Sequence, residues 1–583
     1  MVSLIEGLNF FKNRNGKLGI WIFLSILFVL AAVLSVGLTF RHYNENLIGL
    51  SSDDIQLMVF WQDIKEHGLS VIPDWQFPSD NFYLTSLPMQ ILVSTILGIN
   101  VTSVIISGWM FYFVNAVCLG LAVARVSEPL IGLATSVIAL SLSDFSIGVG
   151  WLNLPVVHNS SWMFALIGLN LVLWRVPRWF WSSLLFLVVF MGTISDPWFD
   201  AAFTFPLLLT WFFSHFFFQR EFFKLNPCYI KIENGILRLR LAINIQKFLP
   251  VVPILLGYVL GRIMYWEMAN KFCFCVPNRE IGFDFDPDRM RHRLTLIHYI
   301  FLYFFGGVGA VTYPGLVTLC LSVFIGLQIY FIFRILTNGS LSYAQMVFLS
   351  FFIFSSIALF ASCLININLG SLSGGRFLTN IPYAFLGMGI LSAFVWFKER
   401  WWPGVSILGI FLFCFLVSGV YDNIFLGISP ITKGQSSVNE ERKPIAYSLS
   451  PRPEGQYMLF EELVKRHLDY GIAAYQDYAS GVVPNISRLW KSKEGKLVTL
   501  LSITDGADGK VIIYPMHSSR KWYKVTKGRK GPNFIVVQRQ VPYWKNASWS
   551  VFGPPKETIH IGPYTVWVWD KDLLAAILNR KLW

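Results

Sequence analysis

Leu50-Ser51-Ser52-Asp53-Asp54-Ile55 lies about ten residues beyond the first long apolar run of the chain, Leu18–Phe40. How this stretch is read decides the architecture. Two adjacent carboxylates are costly in hydrocarbon, so Asp53 and Asp54 belong in water or in a protein-lined cavity at a membrane face. One local reading makes Ser51 or Ser52 the cap of a helix over 53–64, with both acids against its positive end. The other makes the pair a reaction site. The stretch alone supports both, and the rest of the chain has to decide between them.

Composition sets the class. The chain has 583 residues, 54% hydrophobic and 14% charged, with a mean hydropathy of +0.54. A soluble domain carries about 25% charged residues. Long apolar runs recur along the chain, which predicts a polytopic α-helical membrane protein. The net charge of +13 fits cation-rich inner loops and contact with anionic membrane lipids, not nucleic acid. Cys118, Cys320, Cys363 and Cys414 lie in apolar runs, and Cys273 and Cys275 are too close for an ordinary bridge. Lys12, Arg14 and Lys17 precede a run too long for a cleaved signal, so it reads as a signal anchor with a cytoplasmic N-terminus.

Further apolar segments follow at 101–124 and 130–142, one ending at Arg175, 180–194, one ending at Arg220, and 248–269. The later ones end at Arg334, cover 342–365, end at Lys398 and cover 404–425. This makes about eleven spans. The piece 84–97 is too short to cross and reads as an interfacial helix, and 296–312 reads as re-entrant or interfacial. Segment 220–247 carries Arg220, Lys224, Lys231, Arg238, Arg240 and Lys247 against Glu221 and Glu233, which makes it an inner loop. Counting back, the acidic connections after the first, third and fifth spans all face outward, and the C-terminus lies outside. Residues 1–428 form the membrane domain, with 41–100 its first outer loop. A Pro-, Ser-, Gly- and Lys-rich linker covers 429–455, and a small α/β domain covers 456–583. In that domain 461–470 reads as an amphipathic helix, and 497–501, 511–514, 534–537 and 564–569 read as strands.

This arrangement resembles the GT-C glycosyltransferases, multi-spanning enzymes that use sugars carried on polyprenyl phosphate or pyrophosphate. The resemblance rests on the early acidic pair Asp53-Asp54, the interfacial helix before the second span, Gly374-Gly375-Arg376-Phe377 ahead of a late span, and the small outer domain. Arg376 is similar in placement to the Arg of the Arg-Tyr pair in lipid-A aminoarabinose transferases and their relatives. The tail is similar to bacterial tails of this group in Tyr470-Gly471-Ile472-Ala473-Ala474-Tyr475-Gln476-Asp477-Tyr478, Lys521-Trp522-Tyr523, Phe552-Gly553-Pro554-Pro555 and Gly562-Pro563-Tyr564. Position 54 is Asp where many relatives have Glu. Position 377 is Phe where many have Tyr, so a tyrosine hydroxyl is absent there.

The resemblance implies an inverting transfer at the outer face of a bacterial inner membrane, from a polyprenyl-linked sugar to a glycan or glycolipid. Asp53 then removes the acceptor's proton, and a carboxylate beside a low-dielectric cavity suits that task. Asp54 orients Asp53 or holds a divalent cation; no other cofactor is implied. Arg376 binds the lipid phosphate, for which a planar guanidinium is suited; the bland alternative is a snorkelling interfacial arginine.

Other candidates share the outer face. Asp196 and Asp200 flank Pro197 at a span end, where they act as a helix stop and cap or bind acceptor or metal; His158 is on the same face, either a satisfied loop residue or a member of that site. Lys271, Arg279 and Arg291, with Arg289 and Arg293, break the inner-positive pattern and suit an anionic lipid. The run Asp284-x-Asp286-x-Asp288 lacks the glycine and distal glutamate of a calcium loop. Two rival functions remain. A flippase of lipid-linked sugars predicts internal repeats. A phosphoethanolamine-type transferase predicts a metal-binding soluble domain. Neither signature is visible in the sequence.

Overall fold

The computed structural model describes residues 14–44, 84–99, 101–142, 158–174, 178–218, 230–233, 236–239, 251–271, 284–306, 314–338, 341–365, 377–425, 471–473, 501–505, 511–515, 533–537, 541–562 and 564–573, with single residues within 57–72 and 459–468. The chain is mostly helical, with a small sheet near its C-terminus.

Every expected apolar segment contains a helix among the described residues. The helices are α1 (Arg14–Asn44), α2 (Leu87–Leu97), α3 (Val101–Val126), α4 (Pro129–Ala139), α5 (His158–Trp174), α6 (Arg178–Ser195) and α7 (Phe205–Phe218). They continue as α8 (Val252–Lys271), α9 (Pro287–Gly306), α10 (Pro314–Asn338), α11 (Tyr343–Ile365), α12 (Asn380–Lys398) and α13 (Trp402–Phe425). Five described helices are long and apolar enough to cross a membrane: Leu18–Phe40, Thr102–Val126, Gly315–Arg334, Tyr343–Ile365 and Asn380–Lys398. The count of eleven is not reached by that criterion among the described residues. One reason is α4. Its 11 residues rise about 16 Å, half of a hydrocarbon core.

One boundary differs from expectation for a local reason. A polar segment followed by a helix from 296 was expected, but α9 starts at Pro287. The Asp286 carboxylate accepts from the amides of Asp288 and Arg289 at 3.0 and 3.1 Å. Pro287 occupies the first position, where a missing N–H costs nothing. Within 220–247, β1 (Ile230–Glu233) pairs antiparallel with β2 (Ile236–Leu239), which had not been expected.

Small residues set the helix contacts, since apolar helices gain little from burying oil in oil. A Cβ on Gly257 of α8 would lie 2.9 Å from Phe186 O of α6, and one on Gly261 would lie 3.0 Å from Thr193 Cβ. Rising numbers meet rising numbers, so α6 and α8 run parallel. In the α3–α4 hairpin, Gly120 and Gly132 approach each other's carbonyls. Arg125 Nε donates to Leu173 O at 2.9 Å, which joins the ends of α3 and α5. Arg334 pairs with Glu399 at 2.9 Å, which joins the ends of α10 and α12. Each tie joins ends that the charge pattern assigns to one face. The centre of the bundle is α12, where Tyr383, Leu386, Leu391 and Trp396 are buried.

In the tail, β3 (Gly471–Ala473), β6 (Phe534–Val537), β8 (Tyr564–Val568) and β7 (Glu557–Ile561) form one sheet in the order β3-β6-β8-β7. Val536 pairs with Val566, and only β3–β6 is parallel. Leu459, Leu463 and Leu468 pack on its apolar face with Tyr564 and Val566. A separate hairpin joins β4 (Leu501–Asp505) to β5 (Val511–Pro515). Of the strand expected at 497–501, only Leu501 lies among the described residues, and it opens β4. Helix α14 (Val541–Phe552) and strands β3 and β7 had not been expected.

Candidate functional site

Four connections from the expected outer face meet at one buried polar corner. The first is the end of the loop that carries the acidic pair. Leu84 N donates to Ser195 Oγ at 3.0 Å, and Ser86 Oγ donates to Ser160 Oγ at 2.6 Å. The second is the start of α5, where His158, Asn159, Ser160 and Ser161 are all buried. The third is the corner Asp196-Pro197-Trp198-Phe199-Asp200. The fourth is the turn at Phe377 that leads into α12.

The corner is built by its own sequence. Asp196 Oδ1 caps Trp198 N at 3.0 Å, with Pro197 at the first helical position. The chain then runs as a π-helical turn over Asp200–Thr204 into α7. Phe199 and Phe203 fit there because Gly192 and Gly168 present bare backbone to their rings.

Asp196 and His158 form a buried pair, at 0% and 3% exposure. His158 Nδ1 and Asp196 Oδ2 are 2.8 Å apart, and Ser161 Oγ donates to the same oxygen at 2.6 Å. A carboxylate accepting from all three neighbours leaves Nδ1 as the ring donor. The imidazole lies between Trp198 (ring centroids 4.7 Å apart, 25°) and Phe377 (4.9 Å, 36°). Trp198 Nε1 donates to Phe377 O at 2.9 Å. Just beyond, Asn380 Nδ2 donates to Ser355 Oγ at 3.2 Å, and Ser355 Oγ donates to Ala202 O at 2.7 Å.

Asp200 belongs to a second network. Its Oδ1 accepts from Thr193 at 2.8 Å and Thr204 at 3.2 Å, and its Oδ2 pairs with Arg262 at 2.5 Å. The guanidinium rests near the rings of Tyr258 and Tyr265. Asp196 and Asp200 thus point into different networks, each with its oxygens engaged. Among the described residues no three His, Cys, Asp or Glu side chains converge as a metal group would need. As placed, His158, Asp196 and Asp200 do not fit a divalent cation.

Asp53, Asp54, Arg279 and Arg376 lie outside the described residues. Near the acidic pair, Leu57, Met58, Phe60, Trp61, Ile64 and Lys65 are helical, with Leu57 and Met58 fully buried. Gly68 N donates to Ile64 O at 2.7 Å with φ +74°, a backbone that suits glycine at a helix end. Lys271 is the last residue of α8. Arg291 is exposed on α9. Its neighbours are committed elsewhere. Arg293, 4% exposed, pairs with Asp284 at 2.5 Å and donates to Leu364 O at 3.2 Å, while Arg289 pairs with Asp284 and Asp286. Arg293 at Leu364 O and Asp284 N at Ile365 O (2.9 Å) satisfy the last two carbonyls of α11.

No protein-family model matches the sequence, and no curated protein does. The chain is similar in structure to several solved proteins. One is the Archaeoglobus fulgidus oligosaccharyltransferase solved with Zn and sulfate: 11% identity, 94% of this chain, 70% of that one, TM-score 0.45. Another is the same organism's AglB with an inhibitory peptide and a dolichol-phosphate: 11% identity, 90% of this chain, 71% of that one, TM-score 0.45. A third is apo ArnT from Cupriavidus metallidurans: 12% identity, 92% of this chain, 97% of that one, TM-score 0.42.

The sequence reading missed Ser161, Trp198 and Arg262 as site residues. A signal for Arg262 was present: it follows Gly257-x-x-x-Gly261, a close-packing stripe, and a lone cation beside such a stripe needs a partner.

Proposed function

We propose that this chain is a membrane glycosyltransferase. It moves a sugar from a polyprenyl-phosphate or -pyrophosphate donor to a glycan or glycolipid acceptor at the outer face, with inversion. One observation carries the reading. The loop that bears Asp53 and Asp54, the start of α5, the 196–200 corner and the turn following Arg376 are tied to one another by hydrogen bonds and ring contacts. A transferase of this kind needs a base, a phosphate clamp and an acceptor wall on one side of the membrane, and these connections supply the residue types.

In this reading Asp53 takes the proton from the acceptor hydroxyl as that oxygen attacks the anomeric carbon. The bond to the lipid phosphate breaks on the opposite side of the sugar, and the phosphate leaves with the electron pair. Asp54 orients Asp53. Arg376 neutralises the departing phosphate, whose charge grows as the sugar leaves. Arg291, which is exposed, attracts the anionic donor from the lipid together with Lys271 and Arg279. The protein sits in a bacterial inner membrane with its N-terminus inside and residues 456–583 outside. A protease added to spheroplasts should then release a fragment beginning within 430–455.

The donor clamp is tested by measuring transfer against donor concentration at matched protein amounts. Arg376→Ala should weaken donor use and slow transfer, and Arg376→Lys should restore it only in part. Full activity in the alanine variant would remove the clamp. Full rescue by lysine would make Arg376 a snorkelling residue.

A further inference from the structure

His158, Asp196, Trp198 and Phe377 form a closed cycle. The His158 ring is anchored by Asp196 at 2.8 Å, stacked on Trp198 and in tilted contact with Phe377. Asp196 caps the amide of Trp198, and the Trp198 indole N–H holds the Phe377 carbonyl. Three separate parts of the chain meet in it: the first residue of α5, the 196–200 corner and the turn before α12.

A buried polar pair is a poor source of stability, because desolvation offsets much of its attraction. What it supplies is direction. A phenylalanine at 158 would stack equally well but could slide, since rings in offset contact tolerate small shifts. An imidazole tied at one edge to Asp196 cannot slide without breaking that bond. Asp196 is fixed in turn by Ser161 and by the Trp198 amide. The Phe377 backbone is gripped twice, through its ring and through its carbonyl. Among the described residues, Thr379 Oγ1 and Asn380 Oδ1 beside this turn are buried without a hydrogen-bond partner. The turn is therefore held by the cycle and by Asn380 Nδ2 rather than by these groups.

We infer that His158 is a positioning residue, one that fixes the turn at Phe377–Thr379 against the 196–200 corner and thereby sets where the residue bonded to Phe377 begins. That residue is Arg376. The functional half of the inference rests on the phosphate role proposed for Arg376 above. The positional half does not.

The experiment separates the two halves. Full-length protein is placed in nanodiscs of phosphatidylethanolamine and phosphatidylglycerol. Hydrogen exchange is read by mass spectrometry on peptides covering 377–380, and binding of undecaprenyl phosphate is read on the same samples. His158→Ala and Trp198→Phe should each speed exchange at 377–380, on the order of tenfold, with α11 and α13 unchanged. His158→Phe should recover part of the protection, because the stack returns without the anchor. Trp198→Phe keeps the His158–Asp196 pair, so it serves if His158→Ala does not fold. Binding should weaken several-fold in His158→Ala, and Arg376→Ala should remove the further effect of His158→Ala, as expected for residues acting through one group. Faster exchange with binding unchanged in all variants supports the positioning role and sinks the phosphate reading of Arg376. Unchanged exchange at 377–380 in both His158→Ala and Trp198→Phe overturns the inference.

Discussion

Replacing Arg262 by methionine strands the Asp200 carboxylate, which is 1% exposed. Removing one partner of a buried ion pair costs about 3–5 kcal/mol. The low end applies here, about 3 kcal/mol, because Thr193 and Thr204 still donate to Oδ1 and only Oδ2 loses its partner. The reverse change, Asp200→Asn, is milder. The guanidinium it leaves is 35% exposed and lies 5.8 and 5.9 Å from the rings of Tyr258 and Tyr265. It can turn toward the interface, and the amide oxygen can still accept from the two threonines, so the loss should be about 1 kcal/mol. The double variant removes both charges and should lose about 2 kcal/mol, less than the singles combined. Reversible unfolding of the full-length protein in mixed micelles, with dodecyl sulfate as the denaturant, reads all three. Additive losses, or a larger loss in Asp200→Asn than in Arg262→Met, would refute the pairing argument.

Two further predictions test the packing and the outer turn. Gly257→Val and Gly261→Val force a side chain against Phe186 O and Thr193 and should each cost about 1–3 kcal/mol in the same unfolding assay; Gly326→Ala, within α10 and with nothing within 4 Å, should cost nothing and stabilise by up to about 1 kcal/mol. The Asp286 amide and the Arg293 guanidinium hold Asp284 below the usual carboxylate range. Its folded pKa is thus the lower one, so its contribution is present above the unfolded value of about 3.9 and is lost as pH falls through the folded value. Asp284→Asn should therefore destabilise the start of α9 at pH 7, seen as faster exchange there, and the gap to wild type in thermal stability should close in strong acid; a gap that persists unchanged would contradict the assignment.

The sequence made the helices legible because apolar runs of span length have few other uses. It was weaker where a segment is apolar but broken: Pro129 and the turn after Ala139 cut α4 to half a span. The start of α9 was hidden because its first turns carry Arg289, Arg291 and Arg293, and only the Asp286-Pro287 cap marks it. In the tail, β7 reads Glu557-Thr558-Ile559-His560-Ile561, with only Ile559 and Ile561 buried, and the alternation is too short to stand out without its partner β8. At the corner, Asp196 and Asp200 were legible as a pair of acids around a proline. Their division between two networks was not, since it depends on His158 and Arg262, 38 and 62 residues away in sequence. The role of Phe377 was likewise invisible. The missing tyrosine hydroxyl drew notice, while the ring in tilted contact with His158 has no sequence signature.

Sugar transfer with Asp53 as the base, as proposed above, is tested most directly by one substitution. Cells carrying Asp53→Asn in place of the wild-type gene would be compared by mass spectrometry of their surface glycans, and the purified variant by its rate of transfer. An amide cannot take the acceptor's proton, so transfer should fall by a factor on the order of a hundred or more while the amount of protein in the membrane is unchanged. Near-normal transfer by Asp53→Asn at normal membrane level would contradict the account.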